Sequence, residues 1–237
     1  MNVRRTGARP FVIAHRGAAR TCPENSIEAL LEAVALGCEI VEFDVGSGLV
    51  LGHSLTERPP GAPTLDDVLR ALHGKTVIAQ IDMKVRGEEE AVAAAIARHG
   101  ADEAVVVSST WPDSLGLLAR IAPRVSRAIG YPRDSYGAAR VRWPGVVTRT
   151  VVGAAAGAMP VRLPLLAARG RPHVVALHHA LVTARVVEAA HRRGLGVFAW
   201  TANDPALVER LTRAGVDAIA SDDPEMALQV TATLQTP

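Results

Sequence analysis

Aromatic residues are scarce in this chain: Phe, Trp and Tyr make up 3% of its 237 residues, although 49% of the residues are hydrophobic. The core must therefore be built from Ala, Val, Leu and Ile. Scarce aromatic residues also argue against a nucleic-acid-binding surface, which combines clustered basic residues with stacking rings. The formal net charge of only +2 supports the same exclusion. A few basic residues that bind an anionic small molecule explain this small positive charge better than a nucleic-acid partner does.

Cysteines and long apolar runs are also missing. Cys22 and Cys38 are the only cysteines, and two in a chain of this length do not make a disulfide framework. No stretch approaches the roughly 18 uninterrupted apolar residues of a membrane span. The basic stretch from Met1 to Pro10 is not followed by an apolar run long enough for a signal peptide. These absences predict a cytoplasmic protein.

Strand-length apolar runs alternate with helix-length Ala/Leu patterns along the chain. The predicted strands are 11–14, 39–45, 76–83, 104–108, 125–129, 173–178, 196–200 and 217–220. The predicted helices are 25–36, 64–73, 88–99, 112–121, 183–193, 204–214 and 223–233, with one more somewhere in 134–169. Eight strands and eight helices in alternation predict a TIM (β/α)₈ barrel, as a single domain over residues 1–237. Pro and Arg interrupt the pattern in 131–171, so no boundaries are predicted there.

The ends of several helices carry recognisable signals. N-terminal caps are predicted at Asn25-Ser26, at Thr64 with Asp67, and at Asn203-Asp204. C-terminal glycines are predicted at Gly37, Gly100, Gly194 and Gly215, each after the last apolar turn of a helix.

Polar residues stand where several predicted strands end. They are His15 and Arg16 after the first strand, Glu42 and Asp44 on the second, His53 soon after it, and Asp82 and Lys84 on the third. Residues two apart on a strand point to the same face, and the carboxyl ends of barrel strands meet at the active-site face. Acids turned into such an interior need a cation or a partner. The pattern therefore predicts a divalent-metal site with acid and base groups beside it.

A series of short motifs runs from residue 15 to residue 224. They are His15-Arg16-Gly17-Ala18, Pro23-Glu24-Asn25-Ser26, Glu42-Phe43-Asp44-Val45, His53, Pro63 to Leu69, Asp82-Met83-Lys84, Trp200-Thr201-Ala202-Asn203, and Gly215 to Pro224. In type and order they resemble the motifs of the glycerophosphodiester phosphodiesterase family. One His-Arg-Gly would mean little, but the ordered set is specific. The resemblance implies a TIM barrel, in agreement with the strand count.

The resemblance implies a metal site and a pair of catalytic histidines. Glu42, Asp44 and Asp82 would hold the cation, and oxygen-only ligands select Mg²⁺ or Ca²⁺ over Zn²⁺ without separating those two. His15 and His53 would be the general acid and base, since the pKa of histidine lies near working pH. The sequence does not assign the two parts between them.

Two cationic residues and a tryptophan complete the implied site. Arg16 would bind phosphate oxygens in a bidentate manner, and Lys84 would bind them as a point charge. Lys84 can also form an ion pair with Asp82 or Glu42, which does not exclude the first role. Trp200 would wall the substrate pocket, or else belong to the core.

The chain departs from the family pattern beside His53 and at Asp82. The family usually has Asp after that histidine, where this chain has Ser54, and an inserted segment beyond it, where only Ser54 to Ala62 remain. At Asp82 the family more often has Glu. The shortened segment predicts an open mouth and weak discrimination among head groups. These departures concern the substrate more than the core chemistry.

The implied reaction is metal-dependent hydrolysis of glycerophosphodiesters, small-molecule substrates, to sn-glycerol 3-phosphate and an alcohol. One alternative is a phospholipase D-like enzyme on lysophospholipid or sphingomyelin at a membrane surface, which the apolar stretch from Val151 to Ala168 and its flanking arginines would suit. We favour an ordinary amphipathic helix for that stretch. A second alternative is a non-catalytic phosphate-binding barrel, against which the intact polar set argues.

Overall fold

The computed structural model describes residues 4, 5, 7, 9–52, 61–133 and 145–234, with the backbone alone for 145–152. The strands are β1 Phe11–Ala14, β2 Ile40–Val45, β3 Ile78–Met83, β4 Val105–Ser109, β5 Ser126–Tyr131, β6 Val174–His178, β7 Gly196–Trp200 and β8 Ala218–Ser221. The helices are α1 Ile27–Ala35, α2 Leu65–Leu72, α3 Glu89–Arg98, α4 Pro112–Ile121, α5 Gly145–Gly170, α6 Ala184–His191, α7 Pro205–Ala214 and α8 Pro224–Thr233. The predicted elements outside 131–171 are confirmed, with ends that differ by at most two residues.

The strands form one closed parallel barrel in chain order, with β8 paired to β1. Phe11 to Ala14 lie opposite Ala218 to Ser221, which completes the closure. The prediction of a TIM barrel is therefore confirmed. Because all strands run in parallel, their carboxyl ends meet at one face.

The apolar residues divide into an inner and an outer layer. The inner layer fills the barrel with Ile13, Ile40, Val106, Ala128, Val174, Ala176, Phe198, Ala218 and Ala220. The outer layer lies between strands and helices and contains mostly Ala, Val and Leu. Phe43 belongs to the outer layer and Phe198 to the inner one. Small and branched residues thus build most of both layers, as the scarcity of aromatic residues requires.

Helix ends follow the predicted signals, with two differences. Ser26 caps α1 by accepting from the Ala29 N–H, and Thr64 and Asp67 form a reciprocal capping box on α2. Gly215 ends α7 in the left-handed conformation, with φ 90°. Asn25, predicted as part of the α1 cap, instead contacts β2, and Asn203, predicted as part of the α7 cap, instead contacts Asp222, as described below.

Helix α5 continues through Pro160 and Pro164. A proline lacks the N–H that a helix interior uses, and for this reason the sequence pattern did not give boundaries here. Met159 and Leu163 are fully buried, whereas Val161 and Leu165 are 77% and 71% exposed. The helix therefore packs along one face and presents apolar side chains on the other. In the described part of the chain, no helix is long and apolar enough to cross a membrane.

Candidate active site

The turn after β1 places two residues at the mouth of the barrel. Arg16 and Gly17 both have left-handed backbones, with φ 57° and 83°. A Cβ on Gly17 would lie 2.6 Å from the backbone carbon of Ala29, so only glycine fits against α1. The turn directs the Arg16 N–H to Glu42 Oε2, at 2.8 Å. The first motif of the chain is thereby fixed to β2.

Three carboxylates meet at the ends of β2 and β3. Asp44 lies directly opposite Asp82 in the strand register, and Glu42 precedes Asp44 by two positions. Each offers an oxygen, and these oxygens all lie within 4.8 Å of one another. Glu42 and Asp44 are buried, with 3% and 0% exposure. The structure thus brings together the three residues that the sequence predicted as metal ligands.

Two cationic side chains adjoin this cluster. Lys84 Nζ lies 2.8 Å from Asp44 Oδ1 and also contacts Asp82. Arg16 Nε lies 3.1 Å from Asp44 Oδ2, and its Nη1 lies 2.8 Å from Glu24 Oε2. Burial alone would lower the pKa of Lys84, but the carboxylates around it outweigh burial and raise that pKa. Lys84 is therefore held as a cation.

The cluster suits a hard divalent cation. Burial raises the pKa of Glu42 to about 7, and the charges of Asp44 and Asp82 add to the effect of burial. Close, buried carboxylates repel each other, and a cation bound among them relieves that repulsion. All the donors are oxygens, which Mg²⁺ and Ca²⁺ prefer. The residues present therefore fit a hard divalent cation.

His15 is held by a carboxylate from the other end of the chain. Its Nδ1 lies 2.5 Å from Asp222 Oδ1, and its Nε2 lies 4.0 Å from Glu42 Oε2. Asn203 donates to Asp222 through its side chain and accepts from the Asp222 N–H at 2.8 Å. Burial lowers the pKa of His15, but Glu42 and the bond to Asp222 outweigh it, so the net shift is upward. The bond to His15 in turn lowers the pKa of Asp222.

Several polar residues at the site were not predicted from the sequence. Asp222 and Asn203 belong to the last two sequence motifs, so the sequence marks them, but those motifs alone do not predict a role for either residue at the site. Asn25 accepts from the Asp44 N–H at 2.8 Å and donates to Asp44 Oδ2 at 3.2 Å. Ser108 donates to Asp82 Oδ1 at 2.7 Å. Ser108 is one of two adjacent serines that end an apolar strand, and no motif marks it.

A cavity of about 380 Å³ opens beside these groups, at the carboxyl ends of the strands. Its polar wall contains His15, Arg16, Glu42, Asp82 and Lys84, and its apolar wall contains Ile13, Ala176, Phe198, Trp200 and Ala220. Trp200 therefore lines the cavity, and it also packs edge-on against His178, with ring centroids 5.2 Å apart. Burial, aided by His179, lowers the pKa of His178 to about 4.

His53 and positions 54–60 lie outside the described residues. The chain on either side is anchored near the acidic cluster. Gly52 donates its N–H to the Asp44 carbonyl at 3.1 Å, and Leu51 donates to the Pro63 carbonyl at 2.8 Å. The predicted role of His53 stays a prediction, as does the open mouth predicted from the shortened segment.

A TIM barrel with acidic, cationic and imidazole groups around one cavity at its carboxyl face has the groups that hydrolysis of a phosphoric diester requires. Residues 15–47 and 53–226 match the model of the glycerophosphoryl diester phosphodiesterase family. The chain belongs to this family, as its motifs predicted.

Individual relatives agree with the family match. The chain is 26% identical to a glycerophosphodiester phosphodiesterase of Caldanaerobacter subterraneus, over 93% of this chain and 97% of that protein. Its fold resembles a glycerophosphodiester phosphodiesterase of Parabacteroides distasonis, with a TM-score of 0.73 and 20% identity over 96% of this chain and 99% of the other. It also resembles an Oleispira antarctica phosphodiesterase in complex with the product sn-glycerol 3-phosphate, with a TM-score of 0.69 and 21% identity over 94% and 96% of the two chains. At these identities the solved structures support the fold alone.

Proposed function

We propose that this protein hydrolyses glycerophosphodiesters to sn-glycerol 3-phosphate and an alcohol. The observation that carries the proposal is the set of three carboxylates within 4.8 Å of one another, beside Lys84, Arg16 and His15 at one cavity. The product bound to the Oleispira relative is consistent with this substrate class. A hydrophobic core does not contain so many charged side chains. The cationic groups can bind the phosphate oxygens of a diester, and the carboxylates can hold a cation.

Glu42, Asp44 and Asp82 are the residues that would hold the divalent cation. When bound, such a cation supplies Lewis-acid stabilisation of the charge that develops on phosphate oxygens. Arg16 and Lys84 bind the non-bridging oxygens of the diester and orient it, and their charges are fixed before the substrate arrives. Their pairing with Asp44 holds both side chains at the cavity wall.

His15 moves a proton through Nε2. A carboxylate only accepts hydrogen bonds, so Nδ1 carries a hydrogen toward Asp222 and Nε2 is the nitrogen left to exchange a proton with the substrate. His53 is the second histidine of the pair, and in the sequence it directly follows Gly52, whose N–H donates to the Asp44 carbonyl. One histidine takes the proton of the glycerol 2-hydroxyl as its oxygen bonds to phosphorus, and the other protonates the alkoxide that leaves. One water then opens the resulting cyclic phosphate, so the net reaction consumes one water.

The test is hydrolysis of glycerophosphocholine before and after treatment with EDTA, with Mg²⁺ or Ca²⁺ added back. We expect activity that EDTA removes and one of the two ions restores. Glu42→Gln should lower both cation affinity and turnover, the latter at least ~10²-fold. Asp66→Asn is the matched control, because Asp66 is a carboxylate that pairs with Arg98 and His99 on the outer helices.

A rate that EDTA leaves unchanged would contradict the metal-dependent mechanism. Cation and phosphate binding without turnover of any diester would instead support the non-catalytic phosphate-binding barrel. Either result is distinguishable from misfolding by the thermal melt of the wild-type protein.

A second candidate function is phospholipase D-like cleavage of a lysophospholipid. The observation in its favour is the exposure of Val161 and Leu165 on α5, since apolar side chains of this kind suit a lipid surface. Lysophosphatidylcholine presented in vesicles, assayed beside glycerophosphocholine, separates the two. A higher kcat/KM for the lysolipid would favour the second candidate.

A further inference from the structure

Helix α5 differs from the other helices of the barrel in its charge. Its 26 residues contain three arginines and no Asp or Glu. Each of the other seven α-helices of the described structure contains at least one acidic residue. The chain as a whole is close to balanced, with 26 basic and 24 acidic residues. Helix α5 is therefore a local concentration of positive charge.

The side of α5 that faces solvent is apolar. An ordinary amphipathic helix, as favoured from the sequence, would carry polar residues along this side. Instead an exposed apolar stripe runs along it, here called the outer stripe, which consists of Ala154, Gly157, Val161, Pro164, Leu165 and Ala168. Val161 and Leu165, one turn apart, are 77% and 71% exposed, and the only other exposed large hydrophobic residue in the described part of the chain is Ile121 on α4, at 41%. Exposed apolar side chains that adjoin each other mark an interaction surface more often than single ones do.

Arginine side chains flank the outer stripe. Arg162 and Arg169 are exposed and lie about two turns apart on one side of the helix. Arg162 donates to the hydroxyl of Tyr131, the last residue of β5, at the face where the cavity opens. At the same face Arg133 lies over the ring of Trp111, 5.2 Å from its centroid. The outer stripe and its arginines therefore lie beside the mouth of the barrel.

We propose that the outer stripe, together with Arg162 and Arg169, is a docking surface for a bilayer that contains anionic lipids. Apolar side chains enter the boundary between head groups and acyl chains, and the flanking arginines pair with lipid phosphates. Since α5 has no acidic residue, its own side chains do not repel an anionic surface. The helix is not apolar enough to cross a membrane, so the contact is peripheral. Docking goes beyond the function proposed above and does not require that the substrate be a lipid.

A second copy of this chain fits the surface less well than a bilayer does. In a two-fold dimer the same patch is used by both copies. Arg162 and Arg169 of the two copies would then share one interface, where like charges repel. A bilayer supplies an apolar layer and negative charge together, which is the combination that this surface matches.

The test is co-sedimentation of the full chain with vesicles of phosphatidylcholine alone, and of equal parts phosphatidylcholine and phosphatidylglycerol. We expect binding to the mixed vesicles to be at least ~10-fold stronger and to weaken as salt is added, since ions screen the arginines. Leu165→Gln should weaken binding to the mixed vesicles about 10-fold, the scale of one large apolar side chain returned to water. Arg162→Gln should weaken it about 5-fold, the scale of one cationic side chain near an anionic surface.

Ile121→Gln and Arg192→Gln are the matched controls. Ile121 is exposed on α4, outside the outer stripe, and Arg192 is exposed and pairs with Glu188 of α6. Both variants should bind the mixed vesicles like the wild-type protein. Thermal melts report whether all four variants are folded, and the vesicle assay contains no diester substrate, so its outcome is independent of the proposed function.

Absence of binding to the mixed vesicles would overturn the docking proposal. So would equal binding to the neutral vesicles, or a loss of binding in Ile121→Gln as large as in Leu165→Gln. Concentration-dependent dimerisation that Leu165→Gln abolishes, without vesicle binding, would also overturn it and would assign the outer stripe to a second copy of this chain.

Discussion

Replacement of Asp222 by Asn tests how the structure prepares His15 for proton transfer. Asn keeps the size of the side chain and the contact with Asn203, but it removes the negative charge 2.5 Å from His15 Nδ1. A hydrogen bond to a charged group is worth about 1.5–3 kcal/mol. Asp222 has 41% of its side chain exposed, so solvent screening reduces the expected loss to about 1–2 kcal/mol. At 1.36 kcal/mol per factor of ten, kcat should fall about 5- to 30-fold.

The pH profile should move in a defined direction. The bond to Asp222 raises the pKa of His15, so its loss lowers that pKa. If His15 is the acid, the alkaline limb of kcat against pH moves to lower pH, because the protonated form is lost sooner. If His15 is the base, the acidic limb of the profile moves to lower pH, because the imidazole then stays neutral at lower pH. KM should change little, since Arg16 and Lys84 are untouched.

The matched control is Asp223→Asn, which removes the same charge one residue further along. Asp223 caps α8 through the Met226 N–H and contacts Arg20, not His15. Asn also serves as a helix cap, so this variant should keep both rate and pH profile. The assay is steady-state hydrolysis of glycerophosphocholine from pH 5 to 10. A wild-type rate and profile in Asp222→Asn would refute the orienting role of Asp222.

Three further variants separate chemistry from folding. Gly17→Ala should destabilise the fold by about 2 kcal/mol or more in urea unfolding, because the new Cβ would meet the Ala29 backbone at 2.6 Å in a left-handed conformation; unaltered stability would contradict that close approach. Asp217→Ala should lower the free energy of unfolding by about 2–3 kcal/mol with the active site unaffected, because it leaves the buried Val197 N–H without its partner at 2.7 Å; a loss of kcat at full stability would argue against this. His53→Ala should reduce turnover at least ~10²-fold with an unchanged thermal melt, and a wild-type rate would remove His53 from the mechanism.

The sequence alone determined the barrel and most of the site. Alternating strand-length and helix-length patterns are local properties of the chain, and each can be recognised within a short stretch of sequence. The register of parallel strands then sends residues such as Glu42, Asp44 and Asp82 to one face without further information. The clustering of these acidic residues with Arg16 and Lys84 could be predicted because polar residues interrupt apolar strands only where chemistry or a partner requires them.

Helix α5 could not be bounded from the sequence, because prolines that usually end a helix lie inside it. Proline acts on the helix locally by removing an N–H, but Met159 and Leu163 pack into the core and hold the helix together across it. Tertiary packing therefore decided an element that local propensity opposed.

The partners of each site residue were decided only by the tertiary structure. Asp222 reaches His15 across 207 positions of sequence, a contact made because β8 closes on β1. The sequence predicts that Lys84 can pair with Asp82 or Glu42, whereas in the structure it contacts Asp82 and also Asp44 on the neighbouring strand. Nothing in the sequence distinguishes Gln80 from other strand residues. In the structure its amide nitrogen donates to Ser108, and its carbonyl oxygen has no donor among the described residues. The pattern of a strand predicts the face to which each side chain points. Hydrogen-bond partners and ion pairs depend instead on distances between different strands, and a local sequence pattern does not contain these distances.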